Sequence, residues 1–279
     1  MCVVLIKIIS WNIRGLGDFE KRREVSQLVR EKKSFIICIQ ETKLSVFDGV
    51  VCKSVWYDSN VDFSFQSSSG ASGGLVMLWD CTEVEVWASL QFEHVIGIHG
   101  RFVKSGEEFT LLNVYAPCDV SRQQALWLNI SQRLSAFSDH NICVWGDFNI
   151  IRWAEERRSV GNAGLHTGSA YFNQFIGVNF IFFMDLPLWG RRFTWFWGDG
   201  NSMSRLDRFL LSERWYLTWP NCVQVASSKG LSDHCPIQLS IDEENWGPKP
   251  VRMLKCWEKF SGYNEFVREK WSSFQVDMF

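Results

Sequence analysis

Five short segments of the chain place a polar side chain directly after a strand-like apolar run. The two fullest are Trp145-Gly146-Asp147-Phe148-Asn149 and Ser232-Asp233-His234-Cys235-Pro236, and the other three contain Asn12, Glu41 and Asp207. Strand ends from distant parts of a chain meet along one rim of a sheet, so we expect these side chains to converge. Acids, amides and an imidazole at one rim indicate metal-assisted hydrolysis of a phosphodiester.

This chemistry needs an attacking water, a cation that offsets charge on the phosphoryl oxygens, and help for the leaving oxygen. Mg²⁺ prefers oxygen ligands and keeps several of its waters, so a few carboxylates suffice to hold it. Glu41, Asp147, Asp207 and Asp233 could supply those oxygens. His234 could offer an imidazolium to a phosphoryl oxygen while a carboxylate holds its ring, and Asp207 is our candidate for that carboxylate.

Three further residues could assist. Tyr115 could supply a phenolic hydroxyl, and Asn12 and Asn149 could orient reacting groups through their amides. Taken singly, each candidate has a commoner explanation, because an Asp or Asn after a strand is usually a turn or cap residue and a lone Tyr is often a half-buried strand residue. The combination of residues and their order favour the functional interpretation.

Hydrophobic periodicity predicts the elements that position these residues. Strands or extended segments are predicted at Val3–Trp11, Phe35–Gln40, Leu75–Trp79, Val84–Ser89, Val95–Phe102, Phe109–Tyr115, Ile142–Trp145, Phe193–Trp197 and Leu206–Leu211. Helices are predicted at Phe19–Lys32, with Asp18 as N-cap, and at Arg122–Phe137 and Ser169–Ile176. The Gly- and Ser-rich segment Ser67–Gly74 is predicted to be a loop. Two strand-rich halves with covering helices indicate a sandwich of two sheets flanked by helices.

We expect one domain over residues 1–245, because strand-rich enzymes of this length form single units. Pro248 and Pro250 mark the boundary, and residues 246–279 form a C-terminal tail whose apolar residues keep helical spacing. The tail is too short for a second domain. We expect it to be helical and to be the start of a truncated polyprotein region.

Composition excludes several classes of protein. With 46% hydrophobic residues, the 279-residue chain can build a large core and is not a disordered protein. A net charge of −2 gives no overall basic surface, so nucleic-acid binding cannot be argued from charge. Nine scattered cysteines predict a reduced, intracellular protein without a disulfide framework, a disulfide-linked partner or a zinc site.

Neither a signal peptide nor a membrane-spanning segment is expected. Lys7 interrupts the apolar start of the chain, and no basic region precedes it. No apolar run approaches the roughly 20 residues that a membrane-spanning helix needs.

The motifs resemble those of the endonuclease/exonuclease/phosphatase superfamily in type and order. They are Ser-Trp-Asn-Ile-Arg-Gly (10–15), Ile-Gln-Glu-Thr-Lys (39–43), Asn-Val-Tyr-Ala-Pro (113–117), Gly-Asp-Phe-Asn (146–149), Ser-Arg-Leu-Asp (204–207) and Ser-Asp-His-Cys-Pro-Ile (232–237). Within the superfamily the chain is most similar to the endonuclease domain of plant LINE-type non-LTR retrotransposons. That similarity rests on Ser-Gly-Ala-Ser-Gly-Gly-Leu (69–75) and Arg-Phe-Thr-Trp (192–195), and the whole resemblance covers about residues 5–241.

The resemblance implies an α+β fold, a four-layer αββα sandwich of two mixed β-sheets flanked by helices. It also implies a divalent metal, Mg²⁺ with Mn²⁺ as the alternative. Glu41 and Asp233 resemble the metal-binding carboxylates, with Asn12 beside them. Asp147 resembles the residue that orients or deprotonates the attacking water, assisted by Asn149.

Further roles follow from the same resemblance. Tyr115 and His234 resemble phosphate contacts, and Asp207 resembles the partner of His234. The residues that resemble those on the DNA side of the site are Thr194, Ser204 and Arg205. The implied activity is nicking of one DNA strand to prime reverse transcription, which places the protein in the nucleus.

Two residues depart from the family pattern. Arg14 stands where exonuclease III-like repair enzymes carry a second carboxylate two residues after the Asn, which favours a retrotransposon-type enzyme over abasic-site repair. Cys118 follows Tyr115-Ala116-Pro117 where many relatives carry Asn, so one polar contact is absent.

Two other functions stay open at this point. One is a phosphatase of the same superfamily that acts on inositol phosphates or sphingolipid head groups. The other is a catalytically silent DNA-binding remnant of a retroelement. The sequence does not indicate an oligomeric state.

Overall fold

Continuous apolar runs form the inner strands of two β-sheets in the computed structural model, which describes residues 6–69, 72–137, 140–159, 167–177, 183–198, 200–242 and 262–273. Up to residue 115 the elements are β1 (Lys7–Asn12), α1 (Phe19–Lys32), β2 (Ile36–Gln40), α2 (Gly49–Val55), β3 (Val61–Ser69), β4 (Ser72–Asp80), β5 (Val84–Phe92), β6 (Val95–Phe102) and β7 (Glu108–Tyr115). They continue with α3 (Val120–Leu134), β8 (Asn141–Asp147), β9 (Arg157–Arg158), α4 (Thr167–Gly177), β10 (Phe183–Asp185), β11 (Leu188–Trp189), β12 (Trp195–Phe196), β13 (Met203–Ser204), β14 (Asp207–Ser212), α5 (Glu213–Thr218), β15 (Cys222–Ala226), β16 (Ile237–Ile241) and α6 (Tyr263–Ser273). Short 3-10 turns lie at Ser135–Phe137 and Ala154–Glu156.

The strands form two large mixed sheets and one small sheet. The first has seven strands in the order β11-β15-β16-β1-β2-β4-β3, the second six in the order β10-β14-β8-β7-β6-β5, and the small sheet three in the order β12-β13-β9. The strands β1 and β2 pair in parallel, as do β7 and β8, while the strands on either side of each pair run antiparallel. Parallel neighbours end at the same edge, so each large sheet gathers two strand ends at one rim.

The hydrophobic core lies between the sheets and on their outer faces. Between them, buried side chains such as Cys38, Met77, Trp145 and Phe209 form one cluster. A second cluster joins α3 and α4 to one face of the six-stranded sheet, and a third joins α1 and α2 to one face of the seven-stranded sheet. The layers are therefore helix, sheet, sheet and helix. This confirms the predicted α+β class and the four-layer αββα sandwich of two mixed sheets.

Helix α1 has the bounds that the sequence predicts. Asp18 caps its first turn, because the carboxylate accepts a hydrogen bond from the N–H of Glu20 at 2.9 Å. At the other end Lys33 adopts a left-handed conformation and donates its N–H to the carbonyls of Arg30 and Val29.

The predicted loop at Ser67–Gly74 is wrong at both of its ends. Strand β3 continues to Ser69, and β4 begins at Ser72. Strand β3 lies at the edge of its sheet, and alternate residues such as Phe63 and Phe65 pack against the outer cluster. The serine-rich end of β3 therefore carries no hydrophobic signal, although its backbone pairs with β4.

Two compact units make up the chain, residues 1–242 and residues 243–279. In the second unit the described residues contain helix α6, whose described side chains are mostly exposed. The predicted boundary at Pro248 and Pro250 and the start of the predicted strand Val3–Trp11 lie outside the described residues. Within the described ranges, no helix combines the length and apolar character needed to cross a membrane, and the cysteines are free thiols.

Candidate active site

Parallel pairing brings four of the predicted site residues to one rim. Asn12 ends β1, and Glu41 directly follows β2, its parallel neighbour. Tyr115 ends β7 opposite Asp147 at the end of β8. Asn149 follows two residues later and donates its backbone N–H to Asp147 Oδ1 at 2.9 Å.

Antiparallel pairing brings the remaining residues to the same rim. Asp207 begins β14 directly opposite Asp147. Asp233 and His234 lie just before β16, whose first residue pairs with Ser10 near the end of β1. The structure thus brings together all eight residues that the sequence predicts to be catalytic.

Asn12 connects the two sheets at this rim. Its amide donates to Glu41 Oε2 at 3.3 Å and to Asp147 Oδ2 at 2.9 Å. The hydroxyl of Tyr115 donates to the same oxygen of Glu41 at 3.2 Å. Asn12, Glu41 and Asp147 are buried, so water competes little for these hydrogen bonds and they fix the separation of the two carboxylates.

His234 lies between two carboxylates. Its Nδ1 is 2.9 Å from Asp207 Oδ2, and its Nε2 is 3.7 Å from Asp147 Oδ2. Burial alone would lower the pKa of His234, but Asp207 and Asp147 more than reverse this and raise it to about 9. Burial raises the pKa of Asp147, and Asp207 adds to this increase, while His234 opposes it. His234 is therefore an imidazolium at neutral pH, held by Asp207.

Neighbouring side chains fix the loop that carries His234. The Trp11 indole donates to the His234 carbonyl at 3.0 Å, and the Ser232 hydroxyl donates to the Asn12 carbonyl at 2.7 Å. The Trp195 indole donates to Asp233 Oδ2 at 3.1 Å. Trp195 was not among the predicted site residues, because a Trp in a strand-like run is explained by core packing.

Strained backbone is concentrated at the rim. Four of the six non-glycine residues with positive φ in the described ranges are Arg14, Glu41, Lys43 and Asn149, with φ between 50° and 56°. Such conformations are uncommon for residues other than Gly and Asn. They cluster at functional sites, where the surrounding structure holds them in place.

Cations face the buried carboxylate of Glu41. Arg14 Nε lies 3.3 Å from Oε2, and Lys43 Nζ lies 3.1 Å from Oε1. Arg14 also donates through Nη1 to Asp233 Oδ2. Burial on its own would raise the pKa of Glu41, but Lys43 and Arg14, together with Asn12, lower it below its ordinary value. Glu41 is thus ionised at neutral pH.

The oxygen atoms at the rim fit a hard divalent cation. Asp207 Oδ1 and Asp233 Oδ1 are buried and have no hydrogen-bond partner in the described part of the chain. Asp147, Asp207 and His234 offer ligand atoms within 4.8 Å of one another. An imidazolium that donates to Asp207 cannot also bind a cation, however, so the carboxylate oxygens at the rim are the atoms that could hold one.

A cavity of about 350 Å³ opens onto this group. Asn12, Glu41, Tyr115, Asp147 and His234 line it. Its volume suffices for a phosphate group with its neighbouring atoms, so the carboxylates and the imidazolium can reach one phosphodiester together.

The residues predicted to lie on the DNA side have internal partners. Thr194 is buried, and its hydroxyl accepts hydrogen bonds from the N–H groups of Leu206 and Asp207, both at 3.0 Å. Ser204 is also buried, and its hydroxyl accepts from Arg157 Nε at 3.2 Å. These contacts place both hydroxyls beneath the surface, where they support the site.

Arg205 belongs to a buried ion-pair cluster. Its guanidinium lies 2.6 Å from Asp185 and 3.4 Å from Glu156, and the neighbouring Arg208 pairs with the same two carboxylates at 2.9 and 2.6 Å. This geometry favours a structural role for Arg205 over the predicted DNA contact. Sequence analysis missed the cluster, because its partners lie far apart in the chain.

Comparisons with known proteins agree with the fold. The sequence profile of the Endonuclease/Exonuclease/phosphatase family matches residues 9–234. The exodeoxyribonuclease of Bacillus subtilis (strain 168) is 26% identical over 266 residues, which cover 85% of this chain and 100% of that protein.

Solved structures show the same architecture. The AP endonuclease of Leishmania major superposes with a TM-score of 0.67 at 17% identity, over 86% of this chain and 88% of that chain. A 3′ phosphatase from Neisseria bound to a product DNA hairpin superposes with a TM-score of 0.64 at 16% identity, over 85% of this chain and 99% of that chain. At 17% and 16% identity, these similarities show only that the fold is shared.

Proposed function

Since the chain belongs to the endonuclease/exonuclease/phosphatase family, we propose that it hydrolyses phosphodiesters in DNA with the help of a divalent metal ion. One observation carries the proposal. Glu41, Asn12, Asp147, His234 and Asp207 form a continuous series of buried polar contacts that ends at one cavity. Such a series has no counterpart in an ordinary hydrophobic core.

Asp147 orients the attacking water and takes its proton. Burial raises the pKa of this carboxylate, which makes it a better proton acceptor. The backbone N–H of Asn149 holds Oδ1, and the amide of Asn12 holds Oδ2. The two hydrogen bonds fix the direction in which Asp147 faces the water.

His234 and Tyr115 contact the phosphate. The imidazolium of His234 donates from Nε2 to a phosphoryl oxygen, while Asp207 holds Nδ1. Tyr115 remains protonated because burial, aided by Glu41, raises its pKa, and its hydroxyl is a hydrogen-bond donor. Both residues line the cavity.

Glu41 and Asp233 would hold the metal ion, which is Mg²⁺ in our proposal, with Mn²⁺ as the alternative. Bound there, the ion would offset the negative charge that develops on the phosphoryl oxygens. Asn12 contacts both Glu41 and Asp147, so it keeps the metal ligand and the water-binding carboxylate at a fixed separation. Thr194 and Ser204 support the side of the site that faces DNA.

We take the reaction to be nicking of one strand of double-stranded DNA by a chain of retrotransposon origin that acts on nuclear DNA. The motifs similar to plant LINE-type endonucleases support this. Arg14 supports it too, because it stands where exonuclease III-like repair enzymes carry a second carboxylate. DNA as the substrate class is supported by the Bacillus subtilis exodeoxyribonuclease and by the DNA-bound structure from Neisseria.

A phosphatase is the second candidate, because the Neisseria relative with the same fold is described as a 3′ phosphatase. Its substrate would be an inositol phosphate or a sphingolipid head group. A silent DNA-binding remnant is the third candidate.

The test compares substrates with purified full-length chain, in Mg²⁺ and in EDTA. We expect conversion of supercoiled plasmid to open circle in Mg²⁺, no conversion in EDTA, and no release of phosphate from inositol phosphates. Asp147→Ala and His234→Ala should abolish the conversion while circular dichroism stays unchanged. Phosphate release without nicking would support the phosphatase, and DNA binding by folded protein without either reaction would support the remnant.

A further inference from the structure

Arg14 contacts both carboxylates that are assigned to the proposed metal site. Its Nε lies 3.3 Å from Glu41 Oε2, and its Nη1 donates to Asp233 Oδ2. One guanidinium therefore bridges the two carboxylates assigned above as metal ligands. The planar group has donors in a fixed fork, which suits such a bridge better than the point charge of a lysine.

The backbone holds Arg14 in this position. Its φ is +50°, and its N–H donates to Asn12 Oδ1 at 3.1 Å. The next residue, Gly15, donates its N–H to the Glu41 carbonyl at 2.7 Å, and Lys21 Nζ donates to the Arg14 carbonyl at 3.0 Å. The loop that carries Arg14 is thus tied to the segment that carries Glu41, and the bridge does not depend on a flexible surface side chain alone.

Lys43 is a suitable comparison for Arg14, because both cations pair with Glu41. Its side chain is 40% exposed and that of Arg14 is 43% exposed, and both pair with Glu41. Lys43 contacts the other oxygen, Oε1, at 3.1 Å and has no ion pair with Asp233 among the described residues. The two cations therefore place equal charge near Glu41, but only Arg14 spans both carboxylates.

We propose that Arg14 competes with the divalent metal ion for Glu41 and Asp233, and so sets the metal concentration that the site needs. The inference rests on the proposed metal-dependent hydrolysis. Arg14 offsets part of the negative charge of the two carboxylates when no metal is present, and a metal ion bound by both carboxylates would displace its guanidinium.

The test is the dissociation constant for Mn²⁺, measured calorimetrically on the full chain without DNA. Arg14→Gln removes the charge and the bridge, and should tighten Mn²⁺ binding by about tenfold, equivalent to about 1.4 kcal/mol. Lys43→Gln removes the same charge without a bridge, and should tighten binding by no more than about threefold, because Lys43 contacts only one of the two carboxylates. Arg14→Lys should lie between wild type and Arg14→Gln.

Glu41→Gln separates this inference from the proposed function. If Glu41→Gln binds Mn²⁺ as well as wild type does, the proposed metal site itself fails. If Glu41→Gln loses binding but Arg14→Gln has the wild-type dissociation constant, only the competition by Arg14 is overturned. Equal effects of Arg14→Gln and Lys43→Gln would also overturn it, because general electrostatics would then explain both.

A second measurement follows the guanidinium directly. The Nε–H NMR signal of Arg14, assigned by its loss in Arg14→Gln, should shift during a Mg²⁺ titration with the midpoint found for metal binding. The Nε–H signal of Arg101, which pairs with Glu85 at the exposed surface, should stay in place. An Arg14 signal that does not respond while the site fills with Mg²⁺ would contradict the competition.

Discussion

Asp147 Oδ2 links Asn12 to His234 within the site. It accepts a hydrogen bond from Asn12 at 2.9 Å and lies 3.7 Å from His234 Nε2. His234 in turn contacts Asp207 through Nδ1. These residues are buried, so a change in one charge alters the pKa and the position of the others. A substitution of any one of these residues is therefore expected to affect the others.

Asp207→Asn should lower the pKa of His234. Burial alone lowers this pKa, and Asp207 and Asp147 raise it to about 9. With one carboxylate neutralised we expect the pKa to fall to or below the ordinary value of about 6.5. At pH 8 the imidazolium is then lost, and nicking should slow by about 10²-fold. An NMR titration of the imidazole measures the pKa.

The raised pKa of His234 also makes the stability of the folded protein depend on pH. Because the folded-state pKa of His234 lies above the unfolded value of about 6.5, its stabilisation is fully present below that pH and is lost as the pH rises through about 9. Asp207→Asn should weaken this dependence on pH. Asp62 is an exposed carboxylate on β3, and Asp62→Asn should leave the dependence unchanged.

A pKa of His234 that stays near 9 in Asp207→Asn would be incompatible with the geometry described above.

Thr194→Val tests whether this hydroxyl supports the fold or contacts DNA. The substitution keeps the shape but leaves the N–H groups of Leu206 and Asp207 without their acceptor. We expect a loss of about 2 kcal/mol in the free energy of unfolding, measured with urea, and slower nicking. Thr194→Ser keeps the oxygen and should resemble wild type. Wild-type stability with weakened DNA binding in Thr194→Val would instead indicate direct contact with DNA.

The residue types of the site could be predicted from the sequence, but most of their partners could not. Asp207 was predicted as the partner of His234, and the two are in contact. The pairing of Arg14 with Asp233 joins residues 219 positions apart, and no local pattern encodes such a contact. Lys43 escaped notice for a different reason: it lies only two residues from Glu41, but both residues have a left-handed backbone, which a sequence pattern does not predict.

At the scale of elements, close approach of two strands positions Asp147. Gly146 has φ +132°, and a Cβ atom there would lie 2.0 Å from the Val114 carbonyl oxygen on β7. Only glycine allows β8 to pair with β7 up to the last residue of the strand. The register that places Asp147 beside Tyr115 therefore depends on Gly146.

Gly146→Ala should destabilise the protein and slow nicking. The new methyl group clashes with backbone, and the conformation is strained for alanine, so we expect a loss of about 2–4 kcal/mol in the free energy of unfolding. Gly198→Ala is the matched control, since a Cβ atom there meets nothing within 4 Å. Urea denaturation of both variants checks this, and equal stabilities would count against the close approach of β7 and β8.

Element prediction succeeded where burial was continuous. All residues of β2 and β8 are buried, and both strands are visible in the sequence as apolar runs. The short helices α2 and α5 and the strand β15 were not predicted. α2 and α5 have seven and six residues, too few for helical periodicity to stand out. Edge strands such as β3 expose one face and pair through their backbones, which leaves a weak signal.

At the scale of the whole molecule, the site exists only because two sheets meet. Asn12 and Glu41 come from the seven-stranded sheet, and Asp147 and Asp207 from the six-stranded sheet. A buried polar contact below the rim, between Gln40 Nε2 and Asn113 Oδ1 at 2.6 Å, also joins the two sheets. The class of the fold could be predicted from alternating strands and helices, whereas the way in which the sheets face each other follows from packing of side chains distant in sequence.

The most direct test of the account is the single-turnover rate of plasmid nicking in Mg²⁺ by wild type, Asp147→Asn and the control Asp62→Asn. Loss of the carboxylate that accepts the proton of water should slow nicking by about 10³-fold, with DNA binding unchanged. Asp62→Asn should nick at the wild-type rate, and EDTA should stop nicking in both active proteins. Equal nicking by Asp147→Asn and wild type, or nicking that continues in EDTA, would contradict metal-dependent hydrolysis at this site.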